Sequence, residues 1–375
     1  MSNTKVREPL MHIVKRENMP LWKSMGIRLL AVLLSLVLCG GVIVLMTGMI
    51  PGKEALNPLK VYAGIWDGAV GTSRRMWVTF REAAVLLCVS LAVLPAFRMR
   101  FWNIGAEGQV LMGALATAAV MIYGKNLPPW LLYSLMAVVG ILAGALWGII
   151  PALFKARWNT NETLFTLMMN YVATQVVTFC IIFWEKPKGS NKVGSLDKSV
   201  WLPSVGDNKY LLTIIIVLLI AVAIYFYMRY TKQGYEIAVV GESENTARYS
   251  GINVSRVVIR TMVLSGAIAG VCGFLLSGDV GHTISTGLAG GRGFTAITVA
   301  WLGKLNPFAM LVVALFLVFI ERGSIQIATD FNLSESASEI LTGIILFFIL
   351  GCEFFINYRL EFRTRKHQQE EGVKA

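Results

Sequence analysis

The sequence predicts an all-α polytopic membrane protein with about ten transmembrane helices, and three observations carry that prediction. Of its 375 residues, 55% are hydrophobic and 15% charged, well under the roughly 25% charged residues of a soluble domain. Residues 29–52, 126–154 and 163–184 contain no charged side chain, and each exceeds the about 20 residues that carry a helix across a hydrocarbon core. Two glycine-rich breaks, at 103–109 and 289–294, interrupt apolar stretches in corresponding parts of the two halves. A single soluble core is excluded.

Taken in order, residues 29–52 form the first expected helix. That run is too long for the about 7–15-residue apolar core of a signal peptide, and Pro51-Gly52-Lys53 follow it in place of a small-residue cleavage site, so it is expected to remain as a helix. Further apolar runs are 83–97, 108–124, 126–154, 163–184, 210–228, 261–278, 293–303, 305–320 and 340–352, the last continuing to 356. Several fall below about 17 residues and need other helices or a cavity to satisfy their backbone.

Placing residues 1–28, 98–107, 155–162, 229–260, 304 and 357–375 inside collects most of the 34 Lys and Arg there, as the positive-inside rule asks. Five lysines in loop 185–209 then lie outside. The expected organisation is a cytosolic segment 1–28, a transmembrane domain 29–356 with a cytosolic loop 229–260, and a cytosolic tail 357–375. Spans two to five and seven to ten then run antiparallel. With a break early in each set, they read as an inverted repeat with a path between the halves. Gly140 to Gly144 and Gly266 to Gly270 are small-xxx-small patterns, which serve close helix packing inside a bundle or a dimer face equally well.

The net charge of +12 follows from membrane topology. No basic stripe interleaved with exposed aromatics marks a nucleic-acid partner. Cys39, Cys88, Cys180, Cys272 and Cys352 all fall in apolar segments without a Cys-x-x-Cys pair or clustered histidine, so no metal centre or cofactor is expected. No Gly-x-x-x-x-Gly-Lys-Ser/Thr loop occurs, so any energy from ATP comes through a partner. Asp279 and His282 share a span end, but no second aspartate lies inside a run, and an aspartyl protease needs two. No catalytic residue is assigned.

Two groups of residues stand out for binding. Ser243 is placed as an N-cap, residues 244–250 as two helical turns and Gly251 as the residue that ends them. The resulting short cytosolic helix, with Glu244 and Arg248 on it, is a natural docking knob for a motor or, alternatively, a helix lying on the bilayer. Glu107, Gln109, Asn170 and Gln175 are polar groups at membrane depth. A carboxylate there costs at least about 2.5–3.5 kcal/mol, so Glu107 must face protein or water. Each of these residues serves an interhelical hydrogen bond or a substrate.

The segments 101–109, 161–163 with 167–171, 234–252 and 291–297 with 302–307 resemble the permease subunits of ABC importers in the branched-chain amino acid and simple-sugar group. They are most similar to the bacterial nucleoside permeases. Asn103-Ile104-Gly105-Ala106-Glu107-Gly108-Gln109 is the most specific stretch, and the resemblance extends over roughly residues 26–356. It implies a fold like that of type II ABC importers, in the bacterial plasma (inner) membrane. It also implies ABC ATPase subunits, a second permease in a heterodimer, and an extracellular or periplasmic solute-binding protein. On that basis nucleosides are expected to pass Asn103, Glu107, Gln109, Asn170 and Tyr171, while Ser243, Glu244, Arg248 and Gly251 couple to the ATPase. Simple sugars, riboflavin-like compounds or branched-chain amino acids are the alternative cargo. A membrane sensor or scaffold is the alternative class, which interrupted spans with buried polar groups disfavour.

Overall fold

The computed structural model describes residues 11–16, 19–48, 58–186, 188–190, 193–206, 208–330 and 335–362. The chain divides into two compact units, residues 1–69 with 320–375 and residues 70–319. The first begins with strand β1 (Met11–Lys15), helix α1 (Leu21–Gly48) and helix α2 (Pro58–Val70). α1 starts at Leu21, ahead of the charge-free run, because Arg28 is neutralised inside the helix by Glu353 at 2.6 Å. α2 has no counterpart among the apolar runs. Lys60 and Asp67 interrupt its hydropathy without interrupting its helix.

The second unit opens with α3 (Ser73–Arg98), capped by the Thr72 hydroxyl, which accepts from the Arg75 N–H. Then come α4 (Ala106–Tyr123), α5 (Pro129–Trp158) and α6 (Glu162–Trp184). Asn161 caps α6 by accepting from the N–H groups of Thr163 and Leu164. After α7 (Leu211–Tyr230) the chain forms α8 (Lys232–Glu242) and α9 (Glu244–Tyr249). α10 (Val254–Leu275) runs into a π-helical turn, Leu276–Gly281. α11 (Arg292–Leu302) and α12 (Pro307–Asp330) follow, and α12 carries the chain back into the first unit. There α13 (Glu335–Asn357) packs on α1, with Ala31, Cys352 and Ile356 buried together, and strand β2 (Tyr358–Phe362) pairs antiparallel with β1.

Among the described residues nine helices, α1, α3 to α7, α10, α12 and α13, are long and apolar enough to cross a membrane. Most of the short apolar runs belong to longer helices whose ends carry charge. The run 83–97, for example, is the inner part of α3, which also holds Arg74, Arg75, Arg81 and Glu82. The run 293–303 is the exception. As α11 it has 11 residues, about 16 Å at 1.5 Å per residue, half of a crossing.

The small-xxx-small patterns meet each other. A Cβ on Gly144 would lie 2.7 Å from the Gly270 Cα, and one on Gly113 equally close to it. The backbones of α4, α5 and α10 therefore touch where lipid offers no hydrophobic drive for association. These glycines are the centre of the second unit rather than a dimer face.

Candidate functional site

The first break begins where α3 ends. Phe101 N–H bonds to the Ala96 carbonyl and Arg100 N–H to that of Phe97, with Arg100 left-handed at φ 61°. This is a Schellman turn with arginine where glycine is usual. The chain stays non-helical to Gly105, and α4 starts with no side chain of its own capping it. Its exposed backbone groups are met by α6. Asn170 accepts from the Gly108 N–H at 2.8 Å and donates to the Ile104 carbonyl at 2.9 Å, while Thr166 accepts from the Ile104 N–H at 3.2 Å.

Asn103 closes the break from within. Its side-chain oxygen accepts from the Gly105 N–H, and its amide donates to Ser265 at 3.0 Å and to Gln109 at 3.3 Å. Asn103 and Gln109 are fully buried, and Asn170 nearly so. Asn103 and Asn170, both read as substrate contacts, thus spend polar atoms holding backbone that a continuous helix would satisfy itself, and Gln109 bonds the Asn103 side chain. Tyr171 points away from Asn170 and is 63% exposed.

The second break delivers the N-terminus of α11 to the first. Glu107, in the first turn of α4, accepts from the N–H groups of Gly291 at 2.8 Å and Gly293 at 2.6 Å, one on each carboxylate oxygen. A helix N-terminus carries about half a positive charge. The half-length helix therefore ends on a carboxylate, and the two glycine-rich breaks are one structure. Beside it Arg292 pairs with buried Glu82 at 2.5 Å, and Arg81 reaches the other Glu82 oxygen at 3.2 Å. At this depth the pairs supply what water cannot.

Below the junction lies an aromatic face that the sequence reading did not single out. Trp102 and Trp301 stack with centroids 5.6 Å apart, and Phe97 packs against both. Trp102 is 44% exposed, Trp301 47% and Phe294 48%. Phe294, Thr298 and Trp301 follow the i, i+4, i+7 spacing of one helix face, which was the available signal. Glu107, only partly buried, lies at one end of this face.

At the other end of α10 a loop covers the π-turn. Leu202 N–H bonds to the Gly278 carbonyl and Leu196 N–H to that of His282. The Trp201 ring stacks on His282 at 3.7 Å, nearly parallel, and its indole donates to the Leu196 carbonyl. Asp197 pairs with Lys125, which holds its carboxyl below the usual value. Burial pushes the His282 imidazole below its ordinary value, against the Gly278 carbonyl and Asp279, which pull it back. The described part of loop 185–209 is therefore a docked cap.

The segment 229–260 is built as a rigid knob. Ser243 caps α9 by accepting from the Thr246 N–H. Gly251 N–H bonds to the Arg248 carbonyl and Ile252 N–H to that of Ala247, with Gly251 at φ 76°. Only glycine takes that conformation without strain. Ala247 is buried over a core with Met99, Phe101, Ile237 and Met262. Arg248 and Glu244 face each other at 3.8 Å on the exposed side. Tyr249, which the sequence reading passed over, is 92% exposed. A cavity of about 500 Å³ beside the knob is lined by Lys232, Glu236, Arg256 and Arg260 among others. No group of three or more His, Cys, Asp or Glu that could hold a metal ion occurs among the described residues.

Known proteins place this architecture. The chain is 30% identical over 329 residues to the guanosine ABC transporter permease protein NupP of Bacillus subtilis, covering 86% of this chain and 91% of that one. It is 28% identical over 337 residues to the nucleoside ABC transporter permease protein NupB of Lactococcus lactis, covering 85% and 92%. To the glucose ABC transporter permease protein TsgB13 of Haloferax volcanii it is 27% identical over 360 residues, covering 92% of each. The family model described as branched-chain amino acid transport system, permease component, matches residues 78–350, so this multi-pass membrane chain, with its paired helix breaks, belongs to that permease family of ABC transporters.

Proposed function

We propose that this permease imports nucleosides, passing them along the face made by Glu107, Trp102, Phe294 and Trp301. The observation that carries the reading is the junction itself, a partly buried carboxylate set beside exposed, stacked indoles. A nucleobase stacks on aromatic rings for about 1–3 kcal/mol whatever its hydrogen-bonding pattern. A carboxylate has about four lone-pair sites, of which two serve Gly291 and Gly293, leaving others for ribose hydroxyls. Asn103, Gln109 and Asn170 act one step back, by fixing where Glu107 stands. The relatives named for guanosine and nucleosides support this cargo.

In this reading ATP hydrolysis belongs to separate ATPase subunits that dock on α9 through Glu244, Arg248 and Tyr249. A second permease completes the membrane portion, as the pairing of names NupP and NupQ in one organism supports. A solute-binding protein delivers cargo from outside. The lead-in to α1 and the exit from α13 lie side by side in the β1–β2 pair, which supports an even number of crossings, with α11 as the tenth leg and both termini inside.

A hexose also stacks on indole, and one relative is named for glucose, so the experiment must separate the two. ATP-driven uptake of labelled uridine or adenosine is measured in vesicles holding the full complex, with ribose, glucose and leucine as competitors. Nucleoside uptake insensitive to these competitors is expected, falling in Trp301→Leu. Uptake of glucose, ribose or leucine in place of nucleosides rejects the substrate class. Full activity in Trp301→Leu and Trp102→Leu rejects the path.

A further inference from the structure

We propose that a cleft between the ends of α3 and α7 and the α11–α12 turn holds the phosphate group of an anionic phospholipid. The cleft, about 220 Å³, lies at the end of the second unit that carries α8 and α9. Three cations line it from three elements: Arg98 in the last turn of α3, Arg229 in the last turn of α7, and Lys304 in the turn. No acidic residue lines the cleft, and among the described residues none of the three cations forms an ion pair. Helix dipoles favour a cation at each C-terminus and account for Arg98 and Arg229 separately. They do not account for the convergence with Lys304.

Lys304 adds an independent observation. Leu305 N–H bonds to the Ala300 carbonyl and Lys304 N–H to that of Trp301, a Schellman turn in which Lys304 sits left-handed at φ 50°. Glycine fits that position freely; here a lysine occupies it under strain, and the same residue lines the cleft.

The remaining lining gives the phosphate its source. Leu94, Tyr225 and Met228 are apolar wall, and Tyr225 precedes Arg229 by about one helical turn, or roughly 6 Å along the helix axis. Tyr225 packs on Phe308 at 5.0 Å, and Phe226 and Phe308 are each about half exposed. Cations at the helix ends above exposed apolar rings match a headgroup above its acyl chains, the arrangement of basic lipid pockets between membrane helices. A socket for an acidic protein loop would not need rings facing hydrocarbon.

The test uses the full-length chain in phosphatidylcholine nanodiscs doped with phosphatidylglycerol, with retained lipid counted by native mass spectrometry. Phosphatidylglycerol is expected to be retained over phosphatidylcholine, and millimolar inorganic phosphate should not displace it. Lys304→Gly is the decisive variant, because it relieves backbone strain while removing the charge. It should unfold at a higher temperature yet retain phosphatidylglycerol about fivefold less well, and Arg229→Gln with Lys304→Gln about thirtyfold less well. Arg229→Lys should keep retention near that of the unmodified chain. Unchanged retention in the charge-removing variants overturns the site. Displacement by inorganic phosphate makes it a free-phosphate site, and displacement by the partner ATPase makes it a protein socket; either result rejects the lipid.

Discussion

Glu107 and Gly293 are fitted to each other at backbone distance: a Cβ on Gly293 would lie 2.6 Å from the Glu107 nitrogen, while the Gly293 N–H donates to the Glu107 carboxylate at 2.6 Å. The glycine lets the end of α11 approach, and the carboxylate makes that approach favourable by meeting the helix dipole. Neither residue works without the other.

Gly293→Ala should therefore damage the protein more than Glu107→Gln. The alanine methyl meets backbone, which cannot yield, whereas the amide keeps one acceptor for one N–H. Glu107→Gln is expected to cost about 1 kcal/mol through lost charge, with another about 1–3 kcal/mol if a buried donor is left unmet. Thermal unfolding of both variants in detergent gives the order, and an equal loss in the two would show that close approach is not what the glycine provides.

Asn170→Leu should destabilise through the break in α4. It leaves the Gly108 N–H and the Ile104 carbonyl without their partner, a loss of roughly 2–6 kcal/mol from two groups of about 1–3 each. Tyr171→Leu, on an exposed face, should stay within about 0.5 kcal/mol. Hydrogen exchange at Gly108 should accelerate in the first variant alone.

Tyr249→Ala should uncouple ATP hydrolysis from transport while leaving α9 folded, because Ala247 and the Gly251 turn hold the helix independently of the tyrosine ring. Arg248→Glu should act in the same direction by placing a second acid beside Glu244. The measurement is stimulation of ATPase activity by cargo-loaded binding protein in reconstituted complexes; full stimulation in both variants removes α9 as the coupling element.

Acid should loosen the cap over the π-turn. The folded state lowers the pKa of His282, so the docked loop favours neutral imidazole. The stabilisation is complete above the unfolded histidine value of about 6.5 and is lost as pH falls through the lower folded value. Asp279, Arg81 and Lys209 are the charges that act on the ring, and the carboxylate moderates the effect. Trp201 emission, isolated by difference from Trp201→Phe, should titrate with a midpoint below 6.5 and stop titrating in His282→Gln.

Apolar runs revealed the long helices because lipid requires every residue of a span to be apolar unless it is paired, and unpaired positions dominate. Pairing also explains what was hidden. Arg28 with Glu353, and Glu82 with Arg292, allow charged residues inside helices whose apolar runs stop short of them. The Ser243 and Gly251 ends of α9 were legible because capping is local chemistry. The Gly108 partner of Asn170, the Ser265 partner of Asn103 and the Gly291 partner of Glu107 were not, since they lie 62, 162 and 184 residues away along the chain, and only the fold brings them together. Tyr171 follows Asn170 in the chain yet is exposed where Asn170 is buried, because neighbours on a helix point in different directions.

The clasp between the chain's two ends sets a timetable for assembly. Arg28 and Glu353 are 325 residues apart, and β1 finds its partner strand only in the segment that follows α13. At about 5–20 residues per second of synthesis, α1 waits on the order of tens of seconds in the bilayer with an uncompensated guanidinium. Throughout that interval the first unit is an unfinished surface, and the emergence of α13 with β2 behind it is the event that closes it.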